Sequence, residues 1–421
     1  MWAALQAKED DPDRNVVLIE SERIAQGASG RNGGLANASL THGLSNGQWH
    51  FPDEYEELAR LGRENFQGFI ASLERHSIDA GLEQNGTLDV ATKPHQAADL
   101  REFYGELERL GESAEYLDRD AVQAEVKSPT YCAGVWQKAG ATLDPARLAW
   151  GLRDAVVRLG VRLYEQTPML ELGKAGSGAG GAIKIRCRAG SVTARKVILA
   201  TNAFRSPIAR MRRATIPVWD YVLMTEPLRA DQMASIGWKK RQGLADSGNQ
   251  FHYYRLSEDD RILWGGYDAI YHYGNRLDPS MEQRSESFEG LSKRFFKTFP
   301  QLEGLRWTHS WGGAIASTTR FCMDVGTAHG GRVSWAVGYT GLGVVASRYG
   351  ARIALDLLDR PDAPQLQMDF IKKRAFPWPP EPIRALSVEL TQRAMARADR
   401  NQGRRGPWLK LLDALGLGFD S

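Results

Sequence analysis

Apolar residues along the chain fall into two rhythms. In FPDEYEELARLGRENFQGFIASLERH, from 51 to about 80, they recur at three- and four-residue steps (Leu58, Leu61, Phe66, Phe69, Ile70, Leu73), which predicts an amphipathic helix. A strand, GTLDVAT, and a second helix over 94–111 follow. ATLDPARLAWGLRDAVVRLG predicts a capped helix with Asp144 at the N-cap and Pro145 in its first turn. It runs into VRLYEQT and then KVILATNAF, both read as strands. From 215 to 310 the text turns aromatic and alternating (PVWDYVLMTEPL, NQFHYYRL, RILWGGY), which predicts a sheet. RVSWAVGYTGLGVVASRYGARIALDLL, at 332–358, predicts strand, glycine turn and helix. GKAGSGAGGAIKI at 173–185 reads as a hairpin turn between strands. AFPWPPEP (375–382) breaks the chain before a basic amphipathic tail over 383–418.

Composition narrows the class. The 421 residues are 42% apolar and 25% charged, enough for a sizeable core in two or three units. A net charge of +3 leaves no overall nucleic-acid footprint. Cys132, Cys187 and Cys322 are scattered, form no CxxC and suggest no metal site, which fits a reducing cytoplasm. No apolar run approaches the roughly 18 residues of a membrane span, and no leader pattern opens the chain.

Three segments carry candidate chemistry. The chain opens MWAALQAKEDDPDRNVVLIE: a helix-like run, a polar turn, and a buried-strand pattern ending on Glu20. In a dinucleotide fold an acid at such a strand tip binds ribose hydroxyls about 20 residues after a GxGxxG turn. That spacing expects the glycine motif immediately ahead of Met1; alternatively, VVLIE is any buried strand ending in a solvated acid. GASGRNGG (27–34) offers unencumbered backbone amides beside Ser29, Arg31 and Asn32, a loop able to wrap a phosphate or a flavin edge, or a plain surface turn. GYTGLG (338–343) turns a strand into a helix whose positive N-terminus would face an anionic ring edge, or be ordinary packing glycines.

Taken together, these segments resemble the FAD-dependent amino-acid oxidase (DAO-type) family, nearest to its gamma-glutamylputrescine oxidoreductase-like and glycine/sarcosine oxidase branch. VVLIESERIAQGASGRNGG is similar to the family's second strand and flavin-wrapping loop, and ATLDPARLAWGLRDAVVRLGVRLYEQTPM to its central helix and strand. KVILATNAF is similar to its ATG-type strand, with Asn202 in place of the common glycine. WGGAIASTTRFCMDVG and VGYTGLGVVASRYGARIA are similar to its flavin-facing C-terminal pair. The departure is the family's first strand and GxGxxG, expected just upstream of MWAAL.

The resemblance implies an α/β fold. A Rossmann-like FAD-binding part over 1–85, 141–214 and 309–360, lacking its first strand, interleaves with a mixed-sheet substrate part over 86–140 and 215–308, and a helical extension covers 361–421. It implies non-covalent FAD; Cys322 stands near where some relatives attach flavin, but TTRFCMD matches that pattern poorly. It implies oxidation of the C–N bond of a small-molecule amine or amino acid, with hydride passing to flavin N5, hydrolysis of the imine, and O₂ or another acceptor for reoxidation. Glu20 would hold the ribose. Ser29, Arg31, Asn32, Gly33 and Gly34 would line the flavin or pyrophosphate, with Arg31 alternatively reaching a substrate carboxylate. Thr201 would close the pocket, and Gly341, Leu342 and Gly343 would approach the pyrimidine ring. Tyr254 and Arg255 are similar to a Y-x-R pair near the flavin face and stand as the catalytic candidates.

Trp219 and Tyr221, two apart and so on one strand face, with Tyr253 beside them in FHYYRL, stand as a substrate wall. The alternative is an aromatic strand face packed in the core. His50 and His309 are expected to be structural. The tail reads as a helix packed on the FAD-binding part by a Trp408, Leu409, Leu411, Leu412 stripe, or as a partner- or membrane-surface helix. Two readings of the whole remain: an FAD-dependent oxidoreductase, or a non-catalytic remnant of that fold serving as a scaffold. A nicotinamide enzyme fits the C-terminal glycine turn less well.

Overall fold

Eight strands with period-two patterning form one twisted wall of the protein. The structure, a computed structural model, describes residues 1–174 and 181–418. The wall runs Trp307–Ser317, Ile216–Thr225, Ile262–Gly266, His252–Leu256, Gly243–Asp246, Thr87–Ala91, Ala133–Gln137, Ala114–Leu117. Its pairs are antiparallel except Gly243–Asp246 with Thr87–Ala91.

Alternation gives this sheet two unlike faces. One carries Trp219, Tyr221, Leu223, Tyr254, Leu256, Trp264, Leu88 and Val90 into a core closed by Phe295 and Phe299, the former from the Ser285–Thr298 helix. Ring pairs tie it together: Tyr254 to Trp264 at 4.5 Å and Trp264 to Phe295 at 5.5 Å between centroids. The other face presents Val218, Asp220, Val222 and Tyr253 to a cavity. At the sheet's far end the Pro94–Arg109 helix covers this second face, packing Leu100 and Leu107 on Ala91, Ala133 and Val135.

Across the cavity lies the α/β half. Val17–Ile19 pairs in parallel with Arg162–Tyr164, and Val197–Leu199 with Val333–Val337. Helices Trp2–Asp10, Tyr55–Arg75, Pro145–Arg158 and Gly343–Asp359 share a core of Trp2, Leu5, Phe66, Phe69, Leu73, Leu148, Leu152 and Val345. Phe69 is fully buried, so truncating it to alanine would cost about 3–5 kcal/mol. The predicted cap is present: the Asp144 carboxylate accepts the Ala146 and Arg147 amides at 2.9 and 3.0 Å.

Three local readings change. VVLIE shortens to Val17–Ile19, and a one-turn helix, Ala28–Arg31, sits inside the glycine-rich loop. The strands flanking the 173–185 turn pair as an antiparallel hairpin, Met169–Lys174 with Ile183–Cys187; its tip, 175–180, lies outside the described residues. The tail forms two helices, Ile383–Arg400 and Pro407–Ala414, and these dock over the cavity. Of the expected stripe, Leu409 is buried, Trp408 and Leu412 line the cavity, and Leu411 faces solvent. Among the described residues no helix is long and apolar enough to cross a membrane.

Candidate active site

A cavity of about 1590 Å³ separates the sheet from the α/β half. Ligand pockets commonly hold roughly 300–1,000 Å³, so this one has room for a dinucleotide and a second molecule. The segments singled out from sequence meet here: Ser29, Arg31, Asn32, Gly33, Gly34, Tyr253, Gly341, Leu342 and Gly343 all line it.

The loop is shaped for close approach. The Asn32 side chain accepts the Gly34 amide at 2.9 Å and donates to the Ala28 and Ser29 carbonyls, so it folds its own turn. Gly34 has φ +73°, and a Cβ there would sit 2.1 Å from the Leu143 carbonyl oxygen. A Cβ on Gly33 would lie 2.4 Å from the Tyr253 ring. Opposite, Gly341 has φ +93° and nothing nearer to its missing Cβ than Ile315 at 4.0 Å. The Gly343–Asp359 helix begins there without a side-chain cap, its first amides at the cavity. Two glycine-lined edges and an uncapped helix start fit a flat anionic ring with a pyrophosphate, so the residues present fit FAD.

Other expected residues stand elsewhere. Glu20 does not line the cavity; its carboxylate accepts the Ser21 hydroxyl and Glu22 amide at 3.0 and 3.1 Å, closing its own turn. Thr201 also lies off the lining, with its buried hydroxyl lacking a partner, while Ala200 and Asn202 line it. Asn202 has φ +46°, a left-handed position that asparagine tolerates where a glycine would otherwise serve. Arg31 is paired with Glu282 at 2.6 Å and donates to the Gly312 carbonyl at 3.2 Å, so it is not free to take a substrate carboxylate.

The catalytic and substrate candidates divide by strand face. Tyr253 points into the cavity. Tyr254, next along the strand, points the opposite way and bonds the Tyr131 hydroxyl at 2.5 Å inside the aromatic core, where burial drives its pKa far up. Its placement is that of a core residue. Arg255 lies behind the glycine loop, 6% exposed, its Nε donating to the Gly33 carbonyl at 2.6 Å; it positions the loop and does not reach the cavity. Trp219 and Tyr221 do share a face, but it is the core face, so the substrate wall expected of them gives way to Val218, Asp220 and Val222. His50, His309 and Cys322 are off the lining too; Cys322 is packed in an apolar cluster, its thiol pushed up to about 11 by burial.

Sequence reasoning missed the carboxylates. Asp220 accepts the Tyr253 hydroxyl at 2.5 Å and the Tyr221 amide at 2.8 Å. Asp89 accepts the Gln137 amide at 2.7 Å, and Asp246 the His252 backbone amide. All three line the cavity, and among the described residues none forms an ion pair. Burial pushes their carboxyls up to about 6, 6 and 7 respectively. The signal that was available is a lone acid inside an apolar strand, VWDYV.

Comparison with known proteins agrees with this geometry. The Escherichia coli (strain K12) protein named gamma-glutamylputrescine oxidoreductase is 30% identical over 371 residues, covering 87% of this chain and 82% of that one. The crystal structure of glycine oxidase from Geobacillus kaustophilus superposes with a TM-score of 0.72 at 19% identity, covering 89% of this chain and 96% of that one. L-proline dehydrogenase from P. horikoshii superposes with a TM-score of 0.70 at 16% identity, covering 88% and 92%. The family described as FAD dependent oxidoreductase (DAO) matches residues 1–357. With that match running through both glycine edges of the cavity, the chain belongs to the DAO family of FAD-dependent oxidoreductases.

Proposed function

We propose that this oxidoreductase oxidises the C–N bond of an amine or amino acid, in the part of the cavity between the Gly33–Gly34 loop and the sheet. The observation that carries the reading is the Asp220–Tyr253 pair. Tyr253 packs on Gly33, and its hydroxyl is held by a half-buried carboxylate that forms no ion pair among the described residues. Such a carboxylate attracts an ammonium and can hold its proton. A free amine near neutral pH is protonated, and its nitrogen lone pair must be released before the α-hydrogen can leave. Desolvation lowers the ammonium pKa and raises that of the carboxyl, which narrows the gap the proton must cross. Bound FAD would supply the two-electron acceptor for that hydrogen, taken as hydride, leaving a protonated imine for water to hydrolyse.

The roles of the other residues follow. Gly33, Gly34 and Gly341 to Gly343 would hold the ring and pyrophosphate, with Ser29 and Asn32 shaping the loop and Arg255 bracing it from behind. Val218, Val222 and Ile315 would exclude water beside the reacting carbon. Burial of Cys322 away from the cavity supports a non-covalent flavin, released by denaturation.

The test is spectroscopic. The purified chain is titrated with FAD, and the flavin bands are followed as amines and amino acids are added without oxygen, γ-glutamylputrescine, glycine and sarcosine among them. Bleaching is expected with at least one. Asp220→Asn should retain the bound-flavin spectrum and reduce the flavin roughly a hundredfold more slowly, without the wild type's acid limb near pH 6. Failure to bind FAD, or binding without reduction by any of them, overturns the proposal.

A further inference from the structure

The family match ends at residue 357, yet the cavity is roofed by a later segment. Ser387, Val388, Thr391, Gln392, Met395 and Asp399 line it, and their spacing is one face of the Ile383–Arg400 helix. Only Ala398 of this helix is buried, so it spans the opening like a beam and is not packed into a core. Both ends are tied to the sheet side. At the start, Glu381 accepts the Gly274 amide at 2.9 Å and the Tyr271 hydroxyl, while Arg384 donates to Asn275 at 2.9 Å. At the end, Asp399 accepts the Asn249 backbone and side-chain amides at 3.0 and 2.6 Å and the Gln250 amide at 3.1 Å. Lys93 donates to the Asp399 carbonyl.

The space beneath the beam continues into the space beside Gly33 and Gly341, so one molecule can reach from the reacting end to the roof. Its charge is one-sided. Of the two arginines lining the cavity, Arg31 is paired with Glu282 and Arg405 with Asp413, at 2.6 Å each. Among the described residues Asp246 forms no ion pair; it feels the charge of Asp399, offset in part by the more distant Lys93 and Arg294. A carboxylate at the roof would meet the like charges of Asp246 and Asp399, with both lining arginines paired to acids and Lys93 held by the Asp399 carbonyl.

We infer that the Ile383–Arg400 helix sets the substrate range, selecting long-chain amines whose remote end is neutral or cationic, with Gln392 and Met395 against that remote half. This rests on the proposed amine oxidation and specifies the remote half of its substrate. Filling the roof would shorten the accepted chain without touching the chemistry.

The test uses the FAD-loaded full chain, mixed without oxygen with propylamine, octylamine, octamethylenediamine and ω-aminooctanoic acid; flavin bleaching gives Kd and limiting rate separately. Octylamine and octamethylenediamine are expected to bind at least about tenfold more tightly than propylamine, and ω-aminooctanoic acid about tenfold more weakly than octylamine. Met395→Trp and Gln392→Trp should each raise the octylamine Kd about tenfold, leave propylamine within about twofold, and leave the limiting rate unchanged. Glu389→Ala, on the exposed face of the same helix, should change nothing. The wild-type series alone decides length and charge, so misfolding of either tryptophan variant does not rescue the idea. Bleaching with no dependence on chain length, tighter binding of ω-aminooctanoic acid, or folded tryptophan variants with an unchanged Kd ratio overturns the inference while amine oxidation stands. No bleaching by any amine overturns both.

Discussion

Asp89 offers a test of the cavity's electrostatics that needs no substrate. It sits on the cavity face of the Thr87–Ala91 strand with one neutral partner, Gln137, and no ion pair. Burial pushes its carboxyl from 3.8 to about 6. The folded chain therefore keeps this proton to a higher pH than the unfolded chain does. Between about pH 4 and 6 the unfolded form has released it and the folded form has not, so this group's contribution to stability falls as pH rises through that window. It is least favourable above the window. A displacement of about two pH units corresponds to about 3 kcal/mol; water in the cavity screens the charge, and about 1–2 kcal/mol is the working value. Asp89→Asn keeps the shape and the bond to Gln137 but removes the charge. Near pH 8 it should be the more stable protein, with Tm raised by about 1–2 °C, and the gap should close below about pH 4. Thermal unfolding of both proteins across that range, followed by circular dichroism, reads the effect directly. An Asp89→Asn protein no more stable near pH 8, or a gap that does not depend on pH, would refute the reasoning.

Other perturbations separate holding the cofactor from chemistry. Gly34→Ala forces a left-handed alanine into the Leu143 carbonyl and should cost more than about 3 kcal/mol or abolish FAD retention; a folded, yellow, equally stable variant would contradict the loop geometry. Arg255→Met frees the Gly33 carbonyl and should raise the FAD Kd about tenfold by titration of the apoprotein, whereas an unchanged Kd would remove its bracing role. Tyr254→Phe loses one buried hydrogen bond, about 1 kcal/mol of stability, with flavin reduction expected within about twofold of wild type; a loss of about a hundredfold would return Tyr254 to the chemistry.

Long periodic elements were legible because their signal is local. The Tyr55–Arg75 and Pro94–Arg109 helices follow from spacing alone, and Asp144 caps where a short acid before a proline should. Two glycine-rich segments far apart in sequence also pointed to one place, since backbone amides without side chains mark close approach wherever they occur. What spacing did not supply was the face. VWDYV alternates whichever side is buried, and the aromatic residues drew attention because they are large. Their size is what sends them the other way: a Trp or Tyr buries roughly 150–250 Å², most profitable in a dry core, while a wall that must leave room for a ring uses Val218, Val222 and Gly313. The one-turn helix at Ala28–Arg31 and the roof were illegible for another reason. The first is too short to carry a period, and the second is placed by Glu381 and Asp399 reaching segments over a hundred residues away.

Charge supplies the criterion that spacing lacks. Arg31 and Arg405 line the cavity and Arg255 braces the glycine loop, and each is committed: to Glu282, to Asp413, to the Gly33 carbonyl. Among the described residues Asp89, Asp220 and Asp246 form no ion pair and hydrogen-bond to neutral donors, with Lys93 and Arg294 acting on Asp246 only from a distance. A fold selected for stability alone would pair or neutralise carboxylates drawn this far from water, because each unpaired one is costly. Keeping three of them on the wall of one cavity, while tying up the arginines around it, is the arrangement expected of a site whose missing cation arrives with the substrate. It follows that a saturating amine should stabilise the FAD-loaded protein more at pH 8 than at pH 5, where these groups are largely protonated, and that a carboxylic acid of the same length should not.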